Sequence, residues 1–283
     1  MFEEVAPNVF SAASRFVDGK NGIVIGSRAA LAVDCSNYPD EGQAMADFIC
    51  RKGFAPDHLA LTHGHGDHIW GGVPLMSGEV FAHHLTPSVM ERQIPRAVEK
   101  RGESSAKIRS EMPWPTVTYR DELWIDLGGK TVWLFPTPGH SIDGVSAYVV
   151  EDRVLFSGDS VVTGIVAAIG DGDSRVLESS LERLKALQVD VLVPGHGDPL
   201  IGQDRVADWL TWQAHYLSSV RDRVQAELAR GRSVEAVADA VDYPSYVGDR
   251  LPADRNGMAG RHRNTVLKII EEVLPASGEA NGR

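Results

Sequence analysis

A short polar stretch, Thr62-His63-Gly64-His65-Gly66-Asp67-His68, constrains the fold of this chain more than any other. It directly follows the apolar run 59–61 and carries three of the chain's ten histidines beside one aspartate. Side chains on a β-strand alternate between two faces, so a strand could not direct all three histidines towards one centre. We therefore predict that the segment curls, with the two glycines permitting the turn conformations and the close backbone approach that a metal loop needs.

The residue types in this stretch are those of a metal site. Neutral imidazole and carboxylate are the usual protein ligands of zinc and similar divalent ions. A polar turn with incidental histidines is the alternative, but it would require these side chains to fall at ligand spacing by accident. The stretch is therefore interpreted as a metal-binding loop.

The order His63-x-His65-x-Asp67-His68 resembles the signature loop of the metallo-β-lactamase superfamily of metal-dependent hydrolases. Further residues match the downstream ligands of that superfamily, in order and each after an apolar run: His140, Asp159 and His196. Asp34 closes the apolar run 29–33 and matches an aspartate that supports the site by hydrogen bonds and is not a ligand. The resemblance covers residues 34–196.

This resemblance implies two divalent metal ions, with zinc expected and iron or manganese as alternatives. One ion would be held by His63, His65 and His140, and the other by Asp67, His68 and His196, with Asp159 bridging. A metal-bridging hydroxide would be the nucleophile, and Asp67 would also accept a proton. The formal charge of such a site is about +1, which favours an anionic small-molecule substrate.

Departures from other branches of the superfamily narrow the predicted reaction. True β-lactamases have a cysteine or serine in place of the bridging aspartate, so Asp159 argues against lactam hydrolysis. Lactonases place a tyrosine shortly after that aspartate, and residues 161–164 contain none. We predict hydrolysis of an ester or thioester, as in the glyoxalase II-like thioesterases. Open alternatives are a lactonase or phosphodiesterase, a mononuclear iron enzyme resembling the sulfur dioxygenases, and a noncatalytic metal-binding scaffold.

Short apolar runs of strand length alternate with helical patterns up to residue 202. We predict an α/β fold, a four-layer αββα sandwich with two sheets face to face and helices outside, which the resemblance also implies. Residues 1–202 are the predicted catalytic domain, 203–275 a helical extension packed on it, and 276–283 a frayed tail. In the extension, Ser233 is predicted to cap a helix and 244–252 to form a loop.

The segment from Leu85 to Pro115 lacks a clear period and is predicted to be irregular, either a lid over the site or a solvated connector. Within it, Met112 and Trp114 are the candidates for selecting the substrate. Just before it, His83 and His84 follow a predicted strand. We expect these two histidines to lie at the surface or to support the site, without contacting metal.

Composition argues against two other classes of function, nucleic-acid binding and membrane insertion. The net charge of −11 argues against a nucleic-acid-binding surface, and no apolar run approaches the roughly 20 residues that span a bilayer. The first residues lack the features of a secretion signal, so a cytoplasmic location is expected. Cys35 and Cys50 are predicted to be reduced core thiols. The sequence leaves a homodimer open.

Overall fold

The chain folds into two β-sheets packed face to face, in a computed structural model that describes residues 2–251 and 257–274. The first sheet has seven strands in chain order. They are β1 Phe2–Ala6, β2 Val9–Ala13, β3 Lys20–Ile25, β4 Ala30–Val33, β5 His58–Ala60, β6 Glu79–His83 and β7 Val117–Tyr119. Strands β1 to β4 pair antiparallel, whereas β4 to β7 pair parallel.

The second sheet has six strands in the order β13-β12-β11-β10-β9-β8. They are β8 Leu123–Asp126, β9 Thr131–Pro136, β10 Val145–Val149, β11 Val154–Phe156, β12 Val191–Val193 and β13 Leu200–Ile201. Strands β11 and β12 pair parallel and the other neighbours antiparallel. The short strands β1 and β13 at the sheet edges were not predicted from the sequence.

Helices cover the outer faces of both sheets. They are α1 Pro39–Arg51, α2 Gly66–Ile69, α3 Thr86–Arg101, α4 Ser105–Ser110, α5 Ser174–Lys185, α6 Gln203–Ala229, α7 Val234–Ala240, α8 Tyr243–Val247 and α9 Met258–Val273. Single turns of 3₁₀-helix occur at Val73–Leu75 and Gly158–Ser160. Within the described part of the chain, none of these helices has the length and apolar character needed to span a membrane.

Strand alternation divides the buried side chains among three clusters. In β3, Ile23 and Ile25 face the cluster that contains Met45 of α1, whereas Val24 faces the second sheet. A third cluster lies between the second sheet and the helices from α5 onwards. These three layers of packing confirm the four-layer αββα sandwich predicted from the sequence.

Most of the segment 85–115 is helical, so the prediction that it is irregular was wrong except at residues 111–115. Its buried residues Val89, Met90, Ile94 and Ala97 lie along one face of α3, so the segment has a helical period. Pro95 lies inside this helix, and Gly102, with a φ of 66°, ends it. Residues 105–110 then form α4, with the Ser104 side chain accepting a hydrogen bond from Lys107.

Met112 and Trp114 do not have the environment expected of substrate-selecting residues. Met112 is only 2% exposed and belongs to the cluster beneath α1, α3 and α4, so it cannot contact a substrate. Trp114 packs against the same cluster, and its indole N–H donates to the carbonyl oxygen of Arg109 at 2.9 Å. Both residues pack between the helices and the first sheet, so the prediction that Met112 selects the substrate was wrong, whereas the lid stays a prediction.

The C-terminal helices continue the packing of the second sheet. Side chains of α6 and α9 share one buried cluster with α5, so these C-terminal helices pack on the sandwich. Ser233 caps α7 as predicted. The predicted loop 244–252 was wrong in part, because Asp242 caps the short helix α8. The boundary at residue 202 stays a prediction, and the tail 276–283 lies outside the described residues.

Both cysteines are free thiols, as predicted. Cys35 is buried beside the metal-binding loop, where its thiol donates to the carbonyl oxygen of His68. Cys50 is exposed on α1, so its prediction as a core residue was wrong.

Candidate metal centre

The predicted ligands converge at one rim of the sandwich, where strands from both sheets end. The loop after β5 provides the residues 63–68, and the loops after β9, β11 and β12 provide His140, Asp159 and His196. Their ligand atoms form three overlapping groups, each with all atoms within 4.8 Å of one another. The groups are His63, His65 and His140; His63, His68 and Asp159; and Asp67, His68 and His196.

Asp159 lies between two sets of imidazoles. Its Oδ2 is 3.4 Å from Nε2 of His140. Its Oδ1 is 3.3 Å from Nε2 of His68 and 3.4 Å from Nε2 of His196. The two carboxylate oxygens therefore face different imidazole nitrogens, Oδ2 that of His140 and Oδ1 those of His68 and His196.

Buried atoms at this centre lack hydrogen-bond partners. Within the described residues, Nε2 of His63, Nε2 of His68 and Oδ1 of Asp159 make no hydrogen bond. Leaving a buried polar group without a partner costs about 1–3 kcal/mol. In addition, Nδ1 of His65 and Nε2 of His140 lie 2.9 Å apart. A cluster of imidazole and carboxylate donors with unsatisfied atoms facing inward fits divalent metal ions.

Asp34 supports the metal-binding loop from behind, in the role that the resemblance implies. Its Oδ2 is 2.8 Å from Nδ1 of His68 and also accepts a hydrogen bond from the hydroxyl of Thr62. The same hydroxyl lies 3.1 Å from Nδ1 of His63, so it donates to Asp34 and accepts from His63. These contacts hold each ring through its Nδ1, so that each Nε2 points into the centre.

Backbone carbonyls orient two further imidazoles. Nδ1 of His140 donates to the carbonyl oxygen of Ala168 at 2.8 Å, and Nδ1 of His196 donates to that of Val17 at 2.9 Å. Val17 has a φ of 50°, a left-handed conformation that is strained for a β-branched residue. The strain is located where the backbone turns its carbonyl towards a predicted ligand.

Sequence reasoning missed two acidic residues at this site. Asp143 is fully buried, and its Oδ2 accepts a hydrogen bond from the backbone of Gly64 at 2.9 Å, which joins two ligand-bearing loops. Asp171 lies 3.3 Å from Nε2 of His65 and also pairs with Arg92 of α3. The available signals were the position of Asp143 three residues after His140 and the polar run 170–173.

Four imidazoles of the centre fall into two classes, one with a lowered pKa and one with a raised pKa. Burial lowers the pKa of His63 well below its usual range and lowers that of His140 to about 4. Burial also opposes charge on His68 and His196, but neighbouring aspartates outweigh it. The pKa of His68 is therefore well above its usual range, and that of His196 is raised to about 9.

Asp67 lies on the open side of the centre, with 23% of its side chain exposed. Burial raises its pKa, but the hydrogen bond from His196 and the charge of His68 outweigh burial and lower the pKa to about 2. Its Oδ2 is 3.3 Å from Nε2 of His196. The carboxylate is therefore ionised throughout the neutral pH range and suited to binding a cation.

The glycines of the metal-binding loop serve close packing. A turn conformation and a close backbone approach were both expected of them, but neither Gly64 nor Gly66 has a positive φ. A Cβ at Gly64 would lie 3.0 Å from a carbon of Val89 on α3, and one at Gly66 would lie 2.2 Å from Nε1 of Trp70. The expected close approach is therefore confirmed, whereas the expected turn conformation was wrong, and the loop needs these glycines for space.

The helical extension holds the backbone around Asp159, in a segment that we call the bridging loop, residues 159–171. Gln213 of α6 donates to the carbonyl oxygen of Ser160 at 2.8 Å and accepts from the backbone N–H of Val162. Further side chains donate to backbone carbonyls of this loop: Trp209 to Val162, Arg261 to Val166 and Thr265 to Ala167. The extension thus positions the loop that provides Asp159, the Ala168 carbonyl and Asp171.

His83 and His84 do not belong to the ligand groups found among the described residues. His83 is only 8% exposed, so the expectation of a surface position was wrong for it. Its Nε2 donates to the carbonyl oxygen of Arg120 at 3.1 Å.

Comparison with known proteins identifies the family. The model of the metallo-beta-lactamase superfamily matches residues 23–196, which contain every predicted ligand. The chain belongs to this superfamily. Membership agrees with the fold and with the predicted order of the ligands along the chain.

Relatives in the superfamily differ in their named activities. A linear primary-alkylsulfatase of a Pseudomonas species is 26% identical over 166 residues, which cover 56% of this chain and 31% of the relative. A hydroxyacylglutathione hydrolase of a Methylobacterium species is 25% identical over 186 residues, which cover 66% of this chain and 65% of the relative. The chain thus spans between about a third and two thirds of the length of these relatives.

Among solved structures, the stereoselective inverting sec-alkylsulfatase Pisa1 of a Pseudomonas species superposes with a TM-score of 0.69. The match covers 96% of this chain and 50% of that chain at 15% identity. At this identity the likeness shows the shared fold, and it includes the helices after residue 202 because nearly the whole chain is covered.

Proposed function

We propose that the protein is a metal-dependent hydrolase that holds two divalent ions and cleaves an ester or thioester bond. The observation that carries this proposal is the position of Asp159, whose two carboxylate oxygens face separate sets of imidazoles. The hydroxyacylglutathione hydrolase relative supports an acyl compound as the substrate.

The side chains divide into two proposed metal positions that share Asp159. His63, His65 and His140 with Oδ2 of Asp159 form one, and Asp67, His68 and His196 with Oδ1 form the other. Bound divalent ions supply hydroxide at neutral pH, by lowering the pKa of water to about 7, and they polarise the bond under attack.

The protein's own groups orient the ligands and leave one side of the centre open. Asp34 and the carbonyls of Ala168 and Val17 fix the directions of three imidazole rings. Asp67 and His65 are the more exposed members, with 23% and 20% of their side chains accessible. We propose that substrate approaches from this side. Asp67, which is ionised at neutral pH, would accept the proton that the attacking water loses and pass it to the leaving group of the cleaved bond, because its low pKa prevents it from retaining one.

Sulfate esters are a second candidate substrate class. The observation that favours them is that a linear primary-alkylsulfatase occurs among the relatives by sequence. Carboxylic and sulfate esters share a site requirement, which is positive charge to stabilise a negatively charged transition state or leaving group.

A substrate panel with two matched variants tests the proposal. The purified protein, loaded in turn with zinc, manganese and iron, is assayed on thioesters, carboxylic esters, lactones, sulfate esters and phosphodiesters, with oxygen uptake followed in parallel. We expect hydrolysis of an ester or thioester that falls by at least about 100-fold in Asp159→Ala, which removes the shared carboxylate.

The control is His84→Ala, which changes a histidine outside the ligand groups and should retain activity. Equal losses in the two variants would contradict the site assignment. Oxygen uptake by the iron-loaded protein without hydrolysis would contradict the proposed reaction and favour the dioxygenase alternative.

A further inference from the structure

Helix α3 contacts both the metal-binding loop and the bridging loop. Gly64 packs so closely on Val89 and Met90 that an added Cβ would lie 3.0–3.1 Å from their atoms. One helical turn later, Arg92 pairs with Asp171 of the bridging loop. Residues 89 and 92 lie on the same side of the helix, so one face of α3 contacts both ligand-bearing segments.

Asp171 connects this helix to a predicted ligand. Its Oδ1 is 3.3 Å from Nε2 of His65, and its Oδ2 pairs with the guanidinium of Arg92. The other nitrogen of His65, Nδ1, faces the centre, 2.9 Å from Nε2 of His140. A proton held on Nε2 by the carboxylate leaves the lone pair on Nδ1 directed at the metal position.

His65 depends on this contact more than the other imidazoles do. With 20% of its side chain exposed, it has less packing to fix the ring than His63 or His68, which are almost fully buried. Asp171 is itself 30% exposed and belongs to a loop, so the carboxylate also needs a partner that limits its movement. Arg92 provides that partner from a regular helix.

We propose that Asp171 is a positioning residue for His65, and that Arg92 of α3 acts through Asp171 to keep the His65 ring in its ligating orientation. This inference rests on the proposed metal centre. An exposed ion pair contributes little to stability by itself, so the effect of this pair should appear in metal binding more than in folding.

Cobalt(II) binding to the metal-stripped protein tests the proposal without an assay of activity. Affinity is measured by competition with a chromophoric chelator, and the visible absorption of the cobalt form reports the ligand geometry. The variants are Asp171→Ala, Asp171→Asn, Arg92→Ala and the double variant Arg92→Ala/Asp171→Ala. The control is Arg96→Ala, since Arg96 is exposed on the same helix and forms no ion pair with a described residue.

We expect Asp171→Ala to weaken binding of one of the two ions by about 10–100-fold and to shift the visible spectrum. Asp171→Asn should recover part of the affinity, because an amide oxygen still accepts the His65 N–H. Arg92→Ala should weaken binding by a smaller factor, and Arg96→Ala should match the wild type. The double variant should bind no more weakly than Asp171→Ala, since Arg92 acts only through Asp171.

Wild-type affinity in Asp171→Ala, or losses that multiply in the double variant, would overturn the proposal. So would an Arg92→Ala variant indistinguishable from Arg96→Ala. Failure of the proposed function gives a different result, because the wild-type protein itself would then bind no cobalt or would hydrolyse none of the panel substrates.

Discussion

Gly195 leaves the space that the carboxylate of Asp159 occupies. A Cβ at residue 195 would lie 2.0 Å from Oδ1 of Asp159, far inside contact distance. Gly195→Ala should therefore displace this carboxylate and lower the affinity for divalent metal by at least about 10–100-fold, as disturbed ligand positioning does elsewhere. Metal content after dialysis against a weak chelator measures the loss.

The matched control for that substitution is Gly260→Ala in α9, where an added Cβ meets nothing within 4 Å. Alanine in place of an exposed helical glycine should stabilise the fold by about 0.5–1 kcal/mol and leave metal content unchanged. Retention of full metal content by Gly195→Ala would show that Asp159 is not held where the structure has it.

Protonation of His68 and His196 should make metal binding depend on pH. Both have a raised pKa in the metal-free protein, to about 9 for His196, so both carry protons at neutral pH. Metal ions bind the neutral imidazole, so binding must release these protons, and affinity should rise as pH increases towards 9. Calorimetry at pH 7.5 in buffers of different ionisation enthalpy should show about two protons released per chain; no release would contradict the assigned protonation.

The ligands could be identified from sequence because spacing and residue type define them locally. The loop 63–68 and the motifs at His140, Asp159 and His196 each follow an apolar run, and the structure brings them together. Asp143, Asp171 and Arg92 could not be identified in this way. Their partners are 75 or more residues away, so the contacts exist only after both sheets have packed.

At the scale of elements, α6 holds the bridging loop through Gln213. This side chain is buried and satisfies the Ser160 carbonyl and the Val162 N–H. Gln213→Leu keeps the approximate volume but leaves two buried backbone groups without partners, so it should lower the free energy of unfolding by about 1–3 kcal/mol and weaken metal binding.

Urea unfolding and metal titration measure the two effects of Gln213→Leu. Thr211→Ala is the control, because Thr211 is exposed on the same helix and bonds only the Ala207 carbonyl. It should change stability by no more than about 0.5 kcal/mol. A loss of stability in Gln213→Leu with unchanged metal affinity would show that α6 stabilises the fold without positioning the loop.

Helices and strands with a regular spacing of apolar residues could be predicted from the sequence. A helix in which proline and charged residues interrupt that spacing could not. Helix α5 and the strands of the second sheet from β8 to β12 occur close to where their apolar patterns indicate. Helix α3 was missed because Pro95 and frequent charges obscure the spacing of its buried residues. Proline removes one hydrogen bond from a helix interior, and here packing against the first sheet compensates for that loss.

At the scale of the whole molecule, the metal centre joins the two sheets. The loop with ligands 63–68 follows a strand of the first sheet, whereas the loops with His140, Asp159 and His196 follow strands of the second. Ions bound across this junction should stabilise the sandwich, by about 2.7 kcal/mol at a free metal concentration 100 times the dissociation constant. Thermal unfolding before and after chelation, with metal restored as the reversal, should show this; an unchanged melting temperature would contradict it.

The number of metal ions per chain tests the central claim most directly. Seven ligand side chains, one of which is the shared Asp159, call for two divalent ions. A single ion would leave several buried imidazoles and a carboxylate without partners. Elemental analysis of protein purified without chelator, repeated after loading with excess zinc, measures the ratio. Our account predicts two ions per chain under metal-replete conditions, and a ratio that stays at one would contradict it.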